Sequence, residues 1–475
     1  MKLKILFFAF VFNPSFGFCQ LWQSLQGGQD PYGGTRTMFT DTIDNLLYVG
    51  GTFAAAGGDS SVRGIGTWDG IQWHNLGLGI DTFNHLGWPG ATLAITRYKN
   101  EIYVGGYIQN AGNIACSGIA RWNGSQWDNV AGGVQITIGN YGVVQGFTII
   151  DDTLYVHGNF NFVQNSIPVN GIAKWDGNNW HNIDHPLPFY ASPISTAVIY
   201  NNELYVAGNF EADSGRKDIA KWDGQNWVGI SGGTGNGMGW VAKMIVFQGK
   251  LYVAGYFSKY ADPSAPGYSV VSWDGNQWDE LDGGLLDIDV NIYPANLRDM
   301  AIHDNELYIT GVFTYAGGVN GVPAPYLTKW NGSQWCGFGT YPDNVGASVA
   351  FYRDTLYWGG GFIAIDGDTV NYIAKWIGGN YTDTCSVVGI NEVTNGEDGI
   401  IIYPNPVSES ITISINEKQR HPTEIIFYNV LGEKCLVKEM KAQRETVDVS
   451  GLRRGVYVVE VRGEKVLWRK KVVKM

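Results

Sequence analysis

The sequence predicts an all-β protein, and two observations carry that prediction. The 475 residues include 65 glycines and 14 % aromatic residues but only 16 % charged residues. This composition excludes a disordered chain and a coiled coil, which are rich in charge and poor in aromatic rings. The second observation is internal repetition, because an apolar-Tyr-apolar element recurs seven times at steps of 47 to 56 residues.

Each repeat predicts four short strands, a to d. Strand a is an apolar run such as Ala91–Tyr98, and strand b holds the tyrosine. A Trp-Asp-Gly-x-x-Trp element, as from Trp68 to Trp73, ends strand c and begins strand d, and its Asp-Gly pair favours a type I′ turn. Such repeats describe the blades of a β-propeller. Because the seventh repeat lacks a clear strand d, we expect residues 22–28 to supply it; an eight-bladed or open ring is the alternative.

The repeats resemble those of kelch and kelch-like propellers, in which an apolar-Tyr strand with a following glycine precedes a Trp-bearing strand. The resemblance covers about residues 22–381 and implies a seven-bladed propeller. It implies no single function, because kelch-type rings serve both as enzymes and as binding platforms.

Residues 1–19 predict a signal peptide, so the propeller would occupy residues 20–381. Two lysines precede the apolar run Ile5–Phe12, and Gly17 to Cys19 offer a cleavage site. The run is too short to span a membrane, and no other stretch predicts a transmembrane segment. Lipidation at Cys19 is the alternative, which the bulky Phe18 disfavours.

The C-terminal end predicts a second domain. Residues 382–399 are a polar linker, and alternating apolar residues over 400–475 predict a small β-sandwich. It opens on the run Tyr403, Pro404, Asn405 and Pro406 and later holds the series Asp448, Leu452, Gly455 and Tyr457. With them this segment strongly resembles the type A C-terminal sorting domain of type IX secretion substrates. The resemblance implies recognition of residues 400–475 by the outer-membrane translocon and delivery to the cell surface or the medium.

Charge is divided unevenly between these domains. Residues 400–475 hold 14 Lys and Arg against 9 Asp and Glu, whereas the rest of the chain holds 18 against 35. An acidic body argues against a nucleic-acid partner, because phosphate contacts need a basic face. The four cysteines after residue 19 are too few for a disulfide framework. A Cys336–Cys385 disulfide and buried free thiols both stay open.

The topology of a propeller predicts where a ligand binds. Short a–b and c–d turns share one face, so the long b–c and d–a connections share the other, and loops on a rigid scaffold carry function. We call this second side the long-loop face. Exposed aromatic rings there would stack on sugars or grip a protein, although each could instead pack under its own loop. The candidate binding residues are Trp88, Tyr141, Tyr190, Trp240, Tyr293, Arg298, Tyr341 and Asp343.

No local motif predicts catalysis, a metal site or a cofactor. Asp287/Asp289 and Asp366/Asp368 are spaced like calcium ligands but lack the rest of an EF-hand. The leading hypothesis is a secreted or surface-attached binding protein for a glycan or a protein. The alternative is an extracellular carbohydrate-active enzyme, hydrolase or lyase, with carboxylates from several blades lining the channel. A structural component of the envelope is the third hypothesis.

Overall fold

The computed structural model divides into two compact units, Met1–Cys385 and Ser386–Met475. Across its described residues the chain forms strands and turns and no helix. The described residues are 21–30, 33–81, 90–183, 187, 193–213, 216–230, 240–258, 267–287, 293–318, 321–378, 400–403, 407–415, 424–429, 434–440, 442, 444–453, 455–462 and 467–474.

The first unit has a propeller-like arrangement of sheets, and seven of its described sheets share the strand order a-b-c-d. In sheet 1, strands a to d are Thr35–Asp41, Leu46–Gly51, Ile65–Trp68 and Trp73–His74. In sheet 2 they are Ala91–Tyr98, Glu101–Tyr107, Ile119–Trp122 and Trp127–Asn129. In sheet 3 they are Val143–Ile150, Thr153–Asn159, Ile172–Trp175 and Trp180–His181. In sheet 4 they are Ile194–Tyr200, Glu203–Asp213, Arg216–Trp222 and Trp227–Gly229. In sheet 5 they are Trp240–Phe247, Lys250–Ser258, Tyr268–Trp273 and Trp278–Asp279. In sheet 6 they are Asn296–His303, Glu306–Val312, Leu327–Trp330 and Trp335–Gly337.

Sheet 7 takes its strands from both ends of the unit. Its strands a to c are Gly346–Tyr352, Thr355–Gly360 and Ile373–Trp376, and its strand d is Trp22–Ser24. The pairing is antiparallel, with Trp22 opposite Trp376. Strand a of each sheet contacts strand a of the next, and strand a of sheet 7 contacts that of sheet 1. The inner strands therefore follow one another in a cyclic order.

The a–b turns follow the prediction from their sequences. In sheets 2 to 7 two residues with positive φ join the strands, which matches the twist of a two-residue hairpin. The pairs are Lys99-Asn100, Asp151-Asp152, Asn201-Asn202, Gln248-Gly249, Asp304-Asn305 and Arg353-Asp354. Sheet 1 has a longer loop, in which the buried Asp41 accepts the backbone N–H groups of Ile43 and Asp44 at 3.2 Å each.

The type I′ prediction for the c–d hairpins is wrong. Because Trp68 pairs directly with Trp73, four residues remain in the loop, and among them Gly70 alone has a positive φ. Asp69 Oδ1 instead accepts the N–H groups of Ile71 and Gln72 at 2.7 and 2.8 Å. A side chain that bonds the backbone two residues on closes the turn without a second left-handed residue. The same contact recurs at Asn123, Asp176, Asp223, Asp274 and Asn331.

Aromatic side chains join neighbouring sheets through hydrogen bonds as well as packing. The strand-d tryptophan of one sheet donates its Nε1 proton to a carbonyl that follows strand d of the preceding sheet. These bonds are Trp73 to Leu25, Trp127 to Leu76, Trp180 to Val130 and Trp335 to Leu281, at 2.7 to 3.0 Å. At the end of strand c, Trp175 Nε1 donates to the Tyr103 hydroxyl of sheet 2 at 3.0 Å. The large rings thus fill the wedge between sheets, and these five indoles also hydrogen-bond across it, whereas Trp22, Trp68 and Trp330 have buried Nε1 atoms with no hydrogen-bond partner among the described residues.

A second layer of strand pairing joins the sheets on the long-loop face. The connection from sheet 2, Val134–Thr137, pairs with Phe162–Val163 of the sheet 3 b–c hairpin, and Leu285–Asp287 pairs in the same way with Tyr315–Ala316. Single bridges repeat this contact at Gln29–Ala56, Ile80–Ala111 and Pro342–Ile365. The other short strands are Asn110–Ala111, Ile114–Ala115, Asn140–Tyr141, Ile167–Pro168, Tyr293–Pro294, Val322–Pro323, Ala364–Ile365 and Asp368–Thr369.

The cysteines do not share one state. Cys336 is disulfide-bonded, whereas the buried Cys116 and the exposed Cys435 are not in disulfides. Burial raises the pKa of the Cys116 thiol to about 12, so it stays protonated and unreactive at neutral pH. Cys385, the expected partner of Cys336, lies outside the described residues.

The second unit consists of two antiparallel sheets. One has the order Ile400–Tyr403, Ser410–Ile415 and Arg444–Asp448, and the other has the order Lys434–Glu439, Glu424–Tyr428, Gly455–Arg462 and Leu467–Lys474. Ile411, Phe427 and Val459 belong to the buried core that the sheets share. Strand Lys434–Glu439 was not predicted, because it is an edge strand with mostly exposed side chains and so shows no apolar alternation.

Candidate functional site

A channel of about 1010 Å³ runs along the inner strands of the first unit. Every strand a is interrupted at the same place by a β-bulge, where one residue has no partner on strand b. A bulge redirects the side chain of its extra residue. All seven bulge residues line the channel, and in sheet order they are Arg36, Leu93, Gln145, Ser195, Ala242, Arg298 and Ala347.

The charges of the channel are mainly basic. Arg36, Lys243 and Arg298 line it, and of the described lining residues Asp299 alone carries a carboxylate. Lys243 Nζ contacts Asp299 at 3.0 Å. Asp299 also accepts the Ser348 hydroxyl at 2.9 Å and a backbone N–H at 3.2 Å. The Lys243 charge is therefore neutralised locally, and the two arginines carry the excess.

Arg36 and Arg298 have no counter-ion in the described part of the chain. Among the described residues no carboxylate lies within ion-pair distance of either. Their bulges belong to the sheets on either side of sheet 7, whose bulge residue is the small Ala347. Desolvation, and next the charge of Arg36, lower the pKa of Arg298, although its side chain keeps access to solvent in the channel. Both arginines line the channel, from the two sheets that flank sheet 7.

A half-buried aromatic ring lies beside Arg298. The Arg298 guanidinium carbon is 5.7 Å from the ring centroid of Trp240, a distance typical of a cation–π contact. Trp240 Nε1 donates to the Ser195 hydroxyl at 3.1 Å, which fixes the orientation of the indole. The Trp240 ring, the Ser195 hydroxyl and the Arg298 guanidinium come from three consecutive sheets and face one cavity.

A buried histidine also faces the channel, in sheet 3. His157 is 3 % exposed, and its Nδ1 has no hydrogen-bond partner among the described residues. Burial lowers the pKa of His157 to about 4, with a smaller contribution from the Lys243 charge, so the imidazole is neutral at pH 7. It pairs across the strands with Gly146, where a Cβ would collide with the imidazole Cε1. Glycine at 146 is what makes room for this side chain.

The predicted binding residues fall into separate places. Trp240 and Arg298 meet in the channel, whereas Tyr141 and Tyr341 are exposed elsewhere on the connections, at 44 % and 61 %. Asp343 accepts the N–H groups of Ile363 and Ala364 at 2.8 and 3.1 Å and so holds the b–c hairpin of sheet 7. Trp88 and Tyr190 lie outside the described residues, and Tyr293 is described only as part of strand Tyr293–Pro294.

Sequence reasoning missed Arg36, Gln145, His157, Lys243 and Asp299. A signal was present, because alignment of the repeats puts Arg36 at the strand a position of Arg298, and a charge inside an apolar inner strand is unusual. His157 likewise stands where other repeats have glycine, alanine or threonine. The position of the bulge decides which residue faces inward. That position cannot be read from the alternation of apolar residues along the strand.

The described aspartates that are spaced like calcium ligands do not line the channel. Asp366 lies in the turn between Ala364–Ile365 and Asp368–Thr369, and its Oδ1 accepts the Tyr341 N–H at 2.8 Å. Asp289 lies outside the described residues. Among the residues described, no three His, Cys, Asp or Glu side chains group closely enough to hold a metal ion.

The sorting-motif residues build one corner of the second unit. Asp448 Oδ1 accepts the Ser450 N–H at 2.8 Å, the Leu452 side chain packs on the core, and the buried Tyr457 donates its hydroxyl to the Arg453 carbonyl at 2.9 Å. Gly455, with φ 153°, begins the strand that holds Tyr457. Tyr403 ends the first strand of the unit, and Pro404, Asn405 and Pro406 lie outside the described residues.

Residues 401–475 match the family described as the secretion system C-terminal sorting domain. A domain of this kind directs export through the type IX secretion system. The protein is therefore exported and belongs to the extracellular space or the cell surface. No helix in the described part of the chain has the length and apolar character needed to span a membrane.

Similar solved structures include PorZ, an essential bacterial surface component of the type IX secretion system of Porphyromonas gingivalis. It has a TM-score of 0.43 and 13 % identity over 92 % of this chain. The extracellular domain of BT4673 from B. thetaiotaomicron gives 0.44 and 10 % over 96 %. This chain spans 59 % of the length of either structure, and likeness at this level carries no argument about ligand or activity. The sequence matches none of the curated proteins.

Proposed function

We propose that the protein is a secreted or surface-attached binding protein built on a seven-bladed, kelch-like β-propeller. In this proposal residues 1–19 are the signal peptide, 20–381 the propeller, 382–399 a linker and 400–475 the sorting domain. The seven equivalent sheets, the cyclic contacts of their inner strands and the pairing of Trp22–Ser24 with Ile373–Trp376 support the ring. A ring closed in this way leaves only short, protected sheet edges.

We further propose that the ligand is a glycan, bound where the channel opens on the long-loop face. One observation carries this proposal: the Trp240 ring stands half-exposed in the channel, with the Ser195 hydroxyl and the Arg298 guanidinium beside it. A flat aromatic face flanked by a few polar groups is typical of a sugar-binding site. The channel volume also suits a ligand of several sugar rings.

The channel favours binding over hydrolysis. Glycoside hydrolysis generally requires two carboxyl groups facing the scissile bond. Among the described lining residues Asp299 alone has one, and it is occupied by Lys243, Ser348 and a backbone N–H. The enzyme hypothesis therefore ranks below binding, and no observation on the described residues favours a purely structural role in the envelope.

A glycan array probed with the purified protein tests the proposal, with two variants alongside. Trp240→Ala removes the channel ring and is expected to weaken binding by about tenfold or more, since a stacked aromatic contributes on the order of 1.5 kcal/mol beyond its buried area. Tyr341→Ala removes an aromatic side chain that is 61 % exposed, in a residue whose described hydrogen bonds involve only its backbone N–H and carbonyl. It is expected to leave binding unchanged.

Each other result has a distinct meaning. Loss of binding in Tyr341→Ala alone would move the site from the channel to the loop tips. Absence of binding to every glycan would overturn the glycan proposal and favour a protein partner. Release of reducing sugar from a bound glycan would show that the enzyme hypothesis was the correct one.

A further inference from the structure

The unpaired arginines of the channel point to the chemistry of the ligand. Arg63, Arg97, Arg121 and Arg462 each contact at least one Asp or Glu, and the exposed Arg353 donates to the Asn45 Oδ1. Arg36 and Arg298 contact no Asp or Glu among the described residues, although acidic residues outnumber basic ones by 35 to 18 over residues 1–399. A cation without a counter-ion in an acidic protein is a site kept open for an external anion.

The positions of the sheets around sheet 7 direct the charges of Arg36 and Arg298 toward the same part of the channel. Arg36 and Arg298 occupy equivalent bulges of sheets 1 and 6, and between them Ala347 offers only a methyl group. Strand a of sheet 7 contacts strand a of both neighbours, so an anion over Ala347 lies within reach of both arginines. The effect of the Arg36 charge on the pKa of Arg298 agrees with this proximity.

We propose that Arg36 and Arg298 together bind a carboxylate group of an acidic saccharide whose sugar ring rests on Trp240. The planar guanidinium fork matches the geometry of a carboxylate and binds it through two parallel hydrogen bonds. The Trp240 ring, 5.7 Å from Arg298, supplies the apolar surface for the adjoining sugar. This inference rests on the proposed glycan-binding function and specifies the class of glycan.

The acidic exterior restricts the ligand to one or a few charges. A long polyanion would bring many charges close to a surface that carries an excess of carboxylates, which repels it. A single acidic sugar at the end of a chain places its charge at the arginine pair and leaves neutral rings outside.

The test uses the purified protein on an array that pairs each uronate-terminated glycan with its neutral methyl ester and with a sulfated counterpart. The dissociation constant of the tightest pair is then measured in solution at low and high salt. The wild-type protein is expected to prefer the acid over its ester by about tenfold or more, because a hydrogen bond to a charged group contributes about 1.5 to 3 kcal/mol. High salt is expected to reduce that preference.

Two single variants and their combination carry the structural argument. Arg36→Gln and Arg298→Gln each weaken binding of the acid by about tenfold and binding of the ester by much less, so each variant lowers the preference for the acid. The double variant binds acid and ester equally. Lys99→Gln is the matched control, since it removes one exposed positive charge at an a–b turn, on the face opposite the long loops. It is expected to change neither constant.

The outcomes separate this inference from the function on which it rests. Equal binding of acid and ester by the wild-type protein, still lost in Trp240→Ala, would overturn the anion site and keep the glycan-binding function. A preference for the acid that survives both arginine substitutions would also overturn it. A preference for the sulfated counterpart would replace carboxylate by sulfate as the ligand. Binding to no glycan would overturn the function and the inference together.

Discussion

The c–d hairpins and the inner strands of the same sheets differ in how strictly their residues repeat. Six hairpins keep two tryptophans around a four-residue loop that begins with Asp or Asn. The bulge position of strand a instead holds arginine twice, alanine twice, and leucine, glutamine and serine once each. Hairpins contact the next sheet and must meet the same geometry at each junction, whereas bulge residues face a cavity and are free to vary. Residues that repeat strictly thus belong to the junctions between sheets, and residues that vary face the channel.

The largest loss of stability is expected at the c–d hairpins, where the repetition of residues is strict. Trp180 is 3 % exposed and donates to the Val130 carbonyl at 2.9 Å. Trp180→Ala should lower the free energy of unfolding by about 3 to 5 kcal/mol, as removal of a large buried ring does. Denaturant unfolding followed by circular dichroism measures it.

The matched variant Trp180→Phe keeps an aromatic ring and removes the hydrogen bond. Its expected loss is about 1 kcal/mol, because the Val130 carbonyl still accepts the Gly133 N–H at 2.9 Å. Equal losses in both variants would mean that the hydrogen bond, and not the filled wedge, holds this junction.

A smaller effect is expected at the channel, where sheet 3 departs from its neighbours. Gly146→Ala should lower the free energy of unfolding by about 1 to 3 kcal/mol, because the added methyl group meets the His157 ring. Adding His157→Ala should remove most of that loss, since sheet 2 holds the pair Ala94 and Gly105 at these positions. If the double variant is no more stable than Gly146→Ala, the histidine is not what requires the glycine.

The smallest expected effect is the contribution of His157 to the pH dependence of the free energy of unfolding. Its pKa is about 4 when folded and about 6.5 in an unfolded chain, so the unfolded state binds the proton more readily. The stabilisation is fully present above about pH 6.5 and is lost as the pH falls toward 4. Between pH 7 and pH 6 the expected loss is under about 1 kcal/mol.

Unfolding midpoints at the two pH values measure this dependence, with His157→Ala as the comparison. The variant should lack this part of the slope while keeping the contributions of the other titrating groups. An unchanged slope in His157→Ala would mean that the buried imidazole is not the responsible group.

Much of the scaffold could be predicted from the sequence, because it repeats. Strand a at Ala91–Tyr98 was predicted with its observed bounds, and the tyrosine element marks every strand b. The c–d turns were mispredicted, because the rule for Asp-Gly hairpins takes no account of an aspartate side chain that closes the turn itself. The edge strand Lys434–Glu439 was missed, because an exposed strand lacks the burial that produces alternation.

The channel was harder to predict than the scaffold. Trp240 and Arg298, which line the channel, were named because polar and aromatic residues stand out at a strand start beside a long connection, and their role in binding stays a prediction. Arg36 and Lys243 were missed, because a bulge shifts the inward-facing side of the strand by one residue, and only pairing partners reveal where the shift lies. Asp343 was named for its charge, but its carboxylate is bound to two backbone N–H groups of a neighbouring hairpin.

The three-residue strand Trp22–Ser24 has a consequence for the speed of folding. It pairs with Ile373–Trp376, and nearby the Asn371 amide donates to the Gly27 carbonyl across 344 residues. Such a contact can form only after the whole intervening chain has been synthesised and its two ends have met. The entropy of closing that loop is lost before the contact contributes any stabilisation. Hairpins such as Trp68 to Trp73 close within a few residues. Assembly of this unit is therefore local and fast within each sheet, and its slowest step is the meeting of its two ends.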